Sequence, residues 1–146
     1  MKRRTVIVGA AVGLAVQLAP TVFAGKLKKT VSEFYRQETI TVGKVRLKIP
    51  PLAENGNSVS LAVEVDSPMT DENYVQEIRI FADKNPVPNL ASYRLSPGSG
   101  KAKVATRIRL SNSQVITAVA RMNDGTLWSG SAKTIVTLAA CVEPLL

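Results

Sequence analysis

Cys141 is the one cysteine of the chain, and five residues follow it. A single thiol makes no intrachain disulfide and no multi-cysteine metal site. It can attack as a thiolate, pair with a thiol of another molecule, or carry a group as a covalent adduct. Its neighbours do not activate it. Ala139 and Ala140 precede it, Val142 and Glu143 follow, and no basic side chain adjoins. The Glu143 carboxylate disfavours the thiolate and repels anions. Activation must therefore come from a partner, which suits a carried group better than a self-sufficient nucleophile. The alternative is an inert thiol acting as a small hydrophobe. The position near a chain end, where exposure is the rule, speaks against it. The chain has no histidine. That removes a Ser-His-Asp triad, a Cys-His dyad and any His-ligated zinc or haem site. Neither a cofactor nor catalysis by this chain alone is expected.

The elements that must position this thiol read as strands. From residue 44 the apolar period is two: Val45, Leu47 and Ile49 alternate with Lys44, Arg46 and Lys48 until Pro50-Pro51. Glu54-Asn55-Gly56-Asn57 is read as a turn. Strands follow over residues 59–65, 75–82, 91–95, 101–110, 114–122 and 133–138, separated by turn signals such as Pro97-Gly98-Ser99-Gly100 and Asn123-Asp124-Gly125. Seven or eight short strands at close spacing predict an all-β, immunoglobulin-like antiparallel sandwich over residues 44–138, without the Cys-Trp-Cys signature of antibody domains. Residues 25–43 hold the one expected helix, over 25–40, with Leu27, Val31 and Phe34/Tyr35 on one face. Residues 139–146 form an arm carrying Cys141.

Two further features invite a functional reading. Lys101, Lys103, Arg107 and Arg109 line one face of the strand over 101–110, a row able to steer an acidic partner or an anion. The alternative is an ordinary solvated outer face or a protected sheet edge. Asn85-Pro86-Val87-Pro88-Asn89 is a loop stiffened by two prolines. It reads as a connection between sheets or as a docking loop.

The first residues read as an export signal. Lys2, Arg3 and Arg4 precede a run of nearly all apolar or small residues over 5–19, and Val22-Phe23-Ala24 offers a cleavage site, so residues 1–24 are read as a leader. Arg3-Arg4 before Thr5-Val6-Ile7 looks like a twin-arginine signal, with ordinary secretion as the alternative. An uncleaved anchor ranks lower, because Gln17 and Pro20 interrupt the run. Of the 19 basic residues, three leave with the leader, so 16 face 11 acidic ones, a net of +5. Export argues against nucleic acid as a partner.

Several segments together carry a family resemblance: Glu54-Asn55-Gly56-Asn57, Val65-Asp66-Ser67-Pro68-Met69, Ile80-Phe81-Ala82 with Asn85-Pro86-Val87-Pro88, Ser99-Gly100-Lys101-Ala102, Thr106-Arg107-Ile108-Arg109-Leu110, and Asp124-Gly125 through Trp128. In their order and spacing the chain resembles the SoxY family, the sulfur-carrying subunits of the periplasmic thiosulfate-oxidising system. The resemblance implies an immunoglobulin-like sandwich paired with a SoxZ-like subunit. It implies a cysteine near the C-terminus, set in a Gly-Gly-Cys-Gly-Gly arm, that binds the substrate covalently. It also implies transient visits to a SoxXA-like haem enzyme that couples thiosulfate to the thiol, a SoxB-like hydrolase that releases sulfate, and a SoxCD-like dehydrogenase that oxidises the remaining sulfane.

The departure lies in the arm, which here reads Ala139-Ala140-Cys141-Val142-Glu143-Pro144-Leu145-Leu146. The cysteine aligns, but the four glycines are replaced. Glycine keeps such an arm slim and flexible; Val142 and Pro144 stiffen it. The sequence therefore predicts a sulfur-attachment role for Cys141, presented by Ala139, Ala140 and Val142. The rival reading is an exported structural subunit that pairs with a SoxZ-like protein and carries nothing.

Overall fold

The computed structural model describes residues 29–36 and 38–140. The chain is an all-β, immunoglobulin-like sandwich with one short helix. Its elements run α1 (Lys29–Phe34), β1 (Ile40–Val42), β2 (Val45–Lys48), β3 (Leu52–Asn55), β4 (Val59–Val65), β5 (Val75–Ala82), β6 (Asn89–Arg94), a 3-10 turn (Pro97–Ser99), β7 (Lys103–Ile108), β8 (Gln114–Met122) and β9 (Leu127–Leu138). The larger sheet has the order β1-β9-β8-β5-β6, with β3 also pairing β9; the smaller has the order β2-β4-β7. The β1 and β3 pairings to β9 are parallel, and those among the other neighbours are antiparallel.

The alternation in the sequence sets which faces meet. In β4, Val59, Leu61, Val63 and Val65 are buried. They face Ile78, Ile80, Ile116, Ala118 and Ala120 of the larger sheet within one core cluster. In β8, Ile116, Ala118, Ala120 and Met122 join this core at every second position, as a strand's twofold period requires. Gly130 lies close against β2: a Cβ there would sit 2.1 Å from the Val45 carbonyl oxygen. A side chain at this point would force β2 away from β9.

The helix forms through packing, since six residues are too few to hold a helix in isolation. Val31 and Tyr35 are buried against Phe81, Val119 and Leu127 on the outer face of the larger sheet. Phe34 and Tyr35 meet Phe81 edge-on, with centroids at 5.5 and 6.2 Å. Tyr35 is 3% exposed and among the described residues its hydroxyl has no hydrogen-bond partner. Burial pushes this phenol up to about 12. Beside it, burial raises the Glu77 carboxyl, but hydrogen bonds from Arg79 and Ser92, each 2.8 Å, outweigh that effect and hold it below its ordinary value.

Three expectations change. The helix expected through residue 40 ends at Phe34. Arg36 adopts a left-handed φ of 47°, and the β-branched run Thr39-Ile40-Thr41-Val42 favours an extended chain, which pairs as β1 with residues 127–129. The turn expected at residues 54–57 begins two residues later, because Glu54 and Asn55 belong to β3. The last strand begins at Leu127 rather than Lys133. The leader over residues 1–24 and the first residues of the expected helix, 25–28, lie outside the described residues. Among the described residues no helix is long and apolar enough to cross a membrane.

Candidate functional site

The arm leaves the sandwich from the end of β9, and a short chain of backbone hydrogen bonds fixes its root. Gly56 N–H donates to the Leu138 carbonyl at 2.7 Å, Leu110 N–H to the Gly56 carbonyl at 2.8 Å, and Ala140 N–H to the Leu110 carbonyl at 3.0 Å. These bonds tie β9, the β3–β4 turn and the β7–β8 connection at one end of the molecule. The approach is close enough to exclude a side chain at residue 56. A Cβ there would sit 2.4 Å from the Leu110 carbonyl oxygen and 2.9 Å from Val136 Cγ1. Gly56 is thus required by space rather than by backbone angle. Ala139 and Ala140 are half-buried at this root. Cys141 and Val142 lie outside the described residues; the last anchor stands one residue before the thiol.

A second network holds the proline loop against the same connection. Asn85 Nδ2 donates to the Arg109 carbonyl at 2.7 Å. Asn85 Oδ1 accepts from Ser111 N–H at 3.1 Å and from Gln114 Nε2 at 3.0 Å. Gln114, 3% exposed, accepts in turn from Lys84 N–H at 2.9 Å through its Oε1. Ser111 Oγ donates to the Lys84 carbonyl at 2.5 Å. Buried amides need such partners, since an unmade hydrogen bond costs more than a made one returns. The consequence is positional. The carbonyls of Arg109 and Leu110 are adjacent, and one holds the loop over residues 85–89 while the other holds the arm root. Val87 is displayed at the loop tip, 69% exposed.

Lys101, Lys103, Arg107 and Arg109 are all exposed, alternating with buried Ala102, Val104, Ile108 and Leu110. The row is long and its two ends differ in surroundings. Eight residues of extended chain separate the ends by about 26 Å. Lys103 is the cross-strand neighbour of Glu64, which faces Arg46 on the next strand, so acidic groups border that end. Arg107 and Arg109 belong to the arm end. Arg107 Nη1 donates to Ser58 Oγ at 3.2 Å, and among the described residues the Arg109 side chain has no polar partner.

Between β6 and β7 the sandwich is open. Both are edge strands, each paired on one side only. The cleft between them has a volume of 520 Å³, with Val87, Leu90, Ala91 and Tyr93 on one wall and Thr106, Arg107 and Arg109 on the other. Asn89 also lines it, and its side-chain oxygen is buried without a partner among the described residues.

Sequence reasoning singled out the stripe and the loop but not Gly56, Asn85 or Gln114 as determinants of the arm end. Gly56 looked like a turn residue. Its crowding depends on strands distant in sequence. Among the described residues no cluster of His, Cys, Asp or Glu side chains could hold a metal ion.

A family model described as sulfur oxidation protein SoxY matches residues 31–141, a span that reaches the thiol. No curated protein matches. Among solved structures, a superoxide reductase (neelaredoxin) from Ignicoccus hospitalis is similar at 18% identity with a TM-score of 0.57, over 64% of this chain and 80% of that one. A putative superoxide reductase from Thermotoga maritima shows 22% identity and a TM-score of 0.54, over 70% and 89% of the respective chains. A hypothetical protein from Pyrococcus horikoshii shows 17% identity and a TM-score of 0.54, over 68% and 98%. At such identities the likeness is one of fold.

Proposed function

The chain belongs to the SoxY family of sulfur-oxidation carrier proteins, and from that premise we propose that it carries sulfur covalently on Cys141 as a non-catalytic subunit in the periplasm. The observation that carries the reading is the family match through residue 141, in a chain whose only thiol is Cys141. The firmly tied arm root supports it. A carrier needs a rigid body and a defined exit point for the group it presents.

The loading step balances as follows. The Cys141 thiolate and thiosulfate join through a new S–S bond, giving a cysteine S-thiosulfonate, and two electrons pass to the haem centre of a SoxXA-like enzyme. Water then attacks the terminal sulfone at a SoxB-like hydrolase. Sulfate and two protons leave, and a persulfide remains on Cys141. A SoxCD-like enzyme would oxidise that sulfane further. This chain supplies the sulfur atom and the arm of Ala139, Ala140 and Val142, while its partners supply the chemistry. A SoxZ-like subunit would complete the carrier as a heterodimer. Export through the leader at residues 1–24, by the twin-arginine route, would deliver the protein to these partners.

One observation favours a second reading. Ala139, Ala140, Val142 and Glu143 stand where the resemblance implies glycines, and a stiffer, acidic arm suits a paired structural subunit that carries nothing. Intact mass decides between them. The exported protein is mixed with a SoxZ-like subunit, a SoxXA-like enzyme, an electron acceptor and thiosulfate, beside Cys141→Ala. A reducible mass increase matching thiosulfate, absent from C141A, is the expected result. An unchanged mass with a free thiol, while the same enzyme loads a glycine-armed carrier, would leave the structural reading.

A further inference from the structure

We infer that Asn55-Gly56, in the turn between β3 and β4, is a site of spontaneous deamidation that the arm root holds closed, so that each opening of the root exposes Asn55 to an irreversible change. This is a property of the fold, whether or not Cys141 carries sulfur.

Asn55-Gly56 is the one Asn-Gly pair of the chain. Deamidation uses the main-chain nitrogen of the following residue as its nucleophile. Gly56 N, stripped of its proton, bonds to Asn55 Cγ. The Cγ–Nδ2 bond breaks, ammonia leaves with the proton that Gly56 lost, and a five-membered succinimide ring remains. Water then opens the ring. Attack at Cγ gives an aspartate at position 55. Attack at the Asn55 main-chain carbonyl gives an isoaspartate, whose main chain runs through the side-chain carbons. No electrons are exchanged, and water is the only other reactant. A side chain on the following residue hinders ring closure, and glycine has none.

Three features of the turn bear on this reaction. Packing demands the glycine. A Cβ at residue 56 would sit 2.4 Å from the Leu110 carbonyl oxygen, so the fold cannot exchange the labile pair for a slower one. The electrophile is ready. Asn55 is exposed to water, and Asn57 N–H donates to its Oδ1 at 2.9 Å. A donor placed there stabilises the oxyanion that develops as the ring closes.

The nucleophile, by contrast, is withheld. Gly56 is buried, and its N–H donates to the Leu138 carbonyl at 2.7 Å. While that bond stands, the nitrogen keeps its proton and faces β9. Asn55 itself pairs with Leu138 in the parallel ladder, and Thr137 Oγ1 donates to the Glu54 carbonyl at 2.9 Å. Ring closure must break this pairing. The isoaspartate product lengthens the main chain by one carbon at the most crowded point of the root. Gly56 could then not regain its bonds to Leu138 and Leu110, and the Ala140 anchor on the same Leu110 carbonyl would loosen. A transient opening is thereby converted into a lasting one.

The test follows conversion of Asn55 in the full, reduced protein in mildly alkaline buffer. Digestion and peptide mass show the change from amide to acid, and chromatography separates the two products. The references are a free peptide of residues 52–58 and the urea-unfolded protein. These two should convert alike, and the folded protein about one hundredfold more slowly, the factor that the three root bonds set together. Ala140→Pro removes the N–H that donates to the Leu110 carbonyl and should speed conversion about fivefold. Thr137→Ala removes only the hydroxyl bond to Glu54 and should act in the same direction, which keeps the test open should the proline unfold the body. Val31→Ala, in the separate cluster beneath the helix, lowers global stability and should leave the rate unchanged. Amide exchange at Gly56 should rise in step with conversion. Four results would overturn the inference: a folded protein as fast as the peptide, an unfolded protein that does not convert, root variants without effect, or equal acceleration by Val31→Ala, which would place the reaction in the globally unfolded chain. None of them depends on thiosulfate loading. A chain that takes up no sulfur would refute the carrier reading and leave the deamidation result standing.

Discussion

Gly56→Ala probes the arm root directly. The added Cβ would lie 2.4 Å from the Leu110 carbonyl oxygen and 3.0 Å from the Leu138 carbonyl oxygen. Both are backbone atoms and cannot swing aside as a side-chain tip would. The turn must therefore move away from β9 and from the β7–β8 connection. Two hydrogen bonds involve Gly56 itself, and the bond from Ala140 uses the same Leu110 carbonyl that the new methyl displaces. At about 1 kcal/mol each, loss of these three costs roughly 3 kcal/mol. For a domain of this size that lowers the Tm by about 10 °C. The assay is urea or thermal unfolding of G56A beside Gly98→Ala, chemically the same change. At Gly98 the new Cβ meets only Ser96 Oγ, at an ordinary 3.6 Å, so the cost there should stay within about 0.5 kcal/mol. Amide exchange at Ala140 should also accelerate in G56A. Equal stability of the two variants would refute the claim that space at residue 56 fixes the arm root.

Tyr35→Phe should make the protein about 1 kcal/mol more stable at pH 7, since it removes a buried hydroxyl with no partner. It should also flatten the alkaline limb. With the folded phenol raised to about 12 from 10, the wild type holds full stability below pH 10 and loses about 3 kcal/mol as the pH rises through 12. Parallel unfolding curves for wild type and Y35F across that window would contradict this. Asn85→Ala should cost about 2 kcal/mol, because it removes the acceptor of the Ser111 amide, one of the two acceptors of Gln114 Nε2 and the donor to the Arg109 carbonyl. Hydrogen exchange should locate the loosening at residues 84–89 and 111–114.

The strands with clean alternation were legible. β5 and β8 run as their apolar spacing predicts, and β7 alternates buried residues with Lys103 and Arg107 as read. The elements that escaped are those shaped by distant neighbours. β1 and β3 are three and four residues long and gain their identity only by lying parallel to β9. The first half of β9 reads as a turn because Ser129, Gly130 and Ser131 are small and polar. In the fold Gly130 is small because β2 crosses it at Val45. The candidate carrier residue, Cys141, stood out by composition alone. Its anchoring could not, since the bonds among Gly56, Leu110, Leu138 and Ala140 join main-chain atoms, whose partners no side-chain pattern records.

The placement of β9 determines how the body answers a pull on the arm. Its long edge pairs with β8 from Leu127 to Thr134, while β1 and β3 grip its other edge near its two ends. Inter-strand hydrogen bonds run across the strand direction. A force applied through Ala140 along β9 therefore loads these ladders in shear, many bonds at once, instead of peeling them apart in succession. An enzyme that draws the arm into a channel would be tugging on the most broadly tethered strand of the sandwich, so tension should exhaust the Ala140 anchor first and leave the body intact.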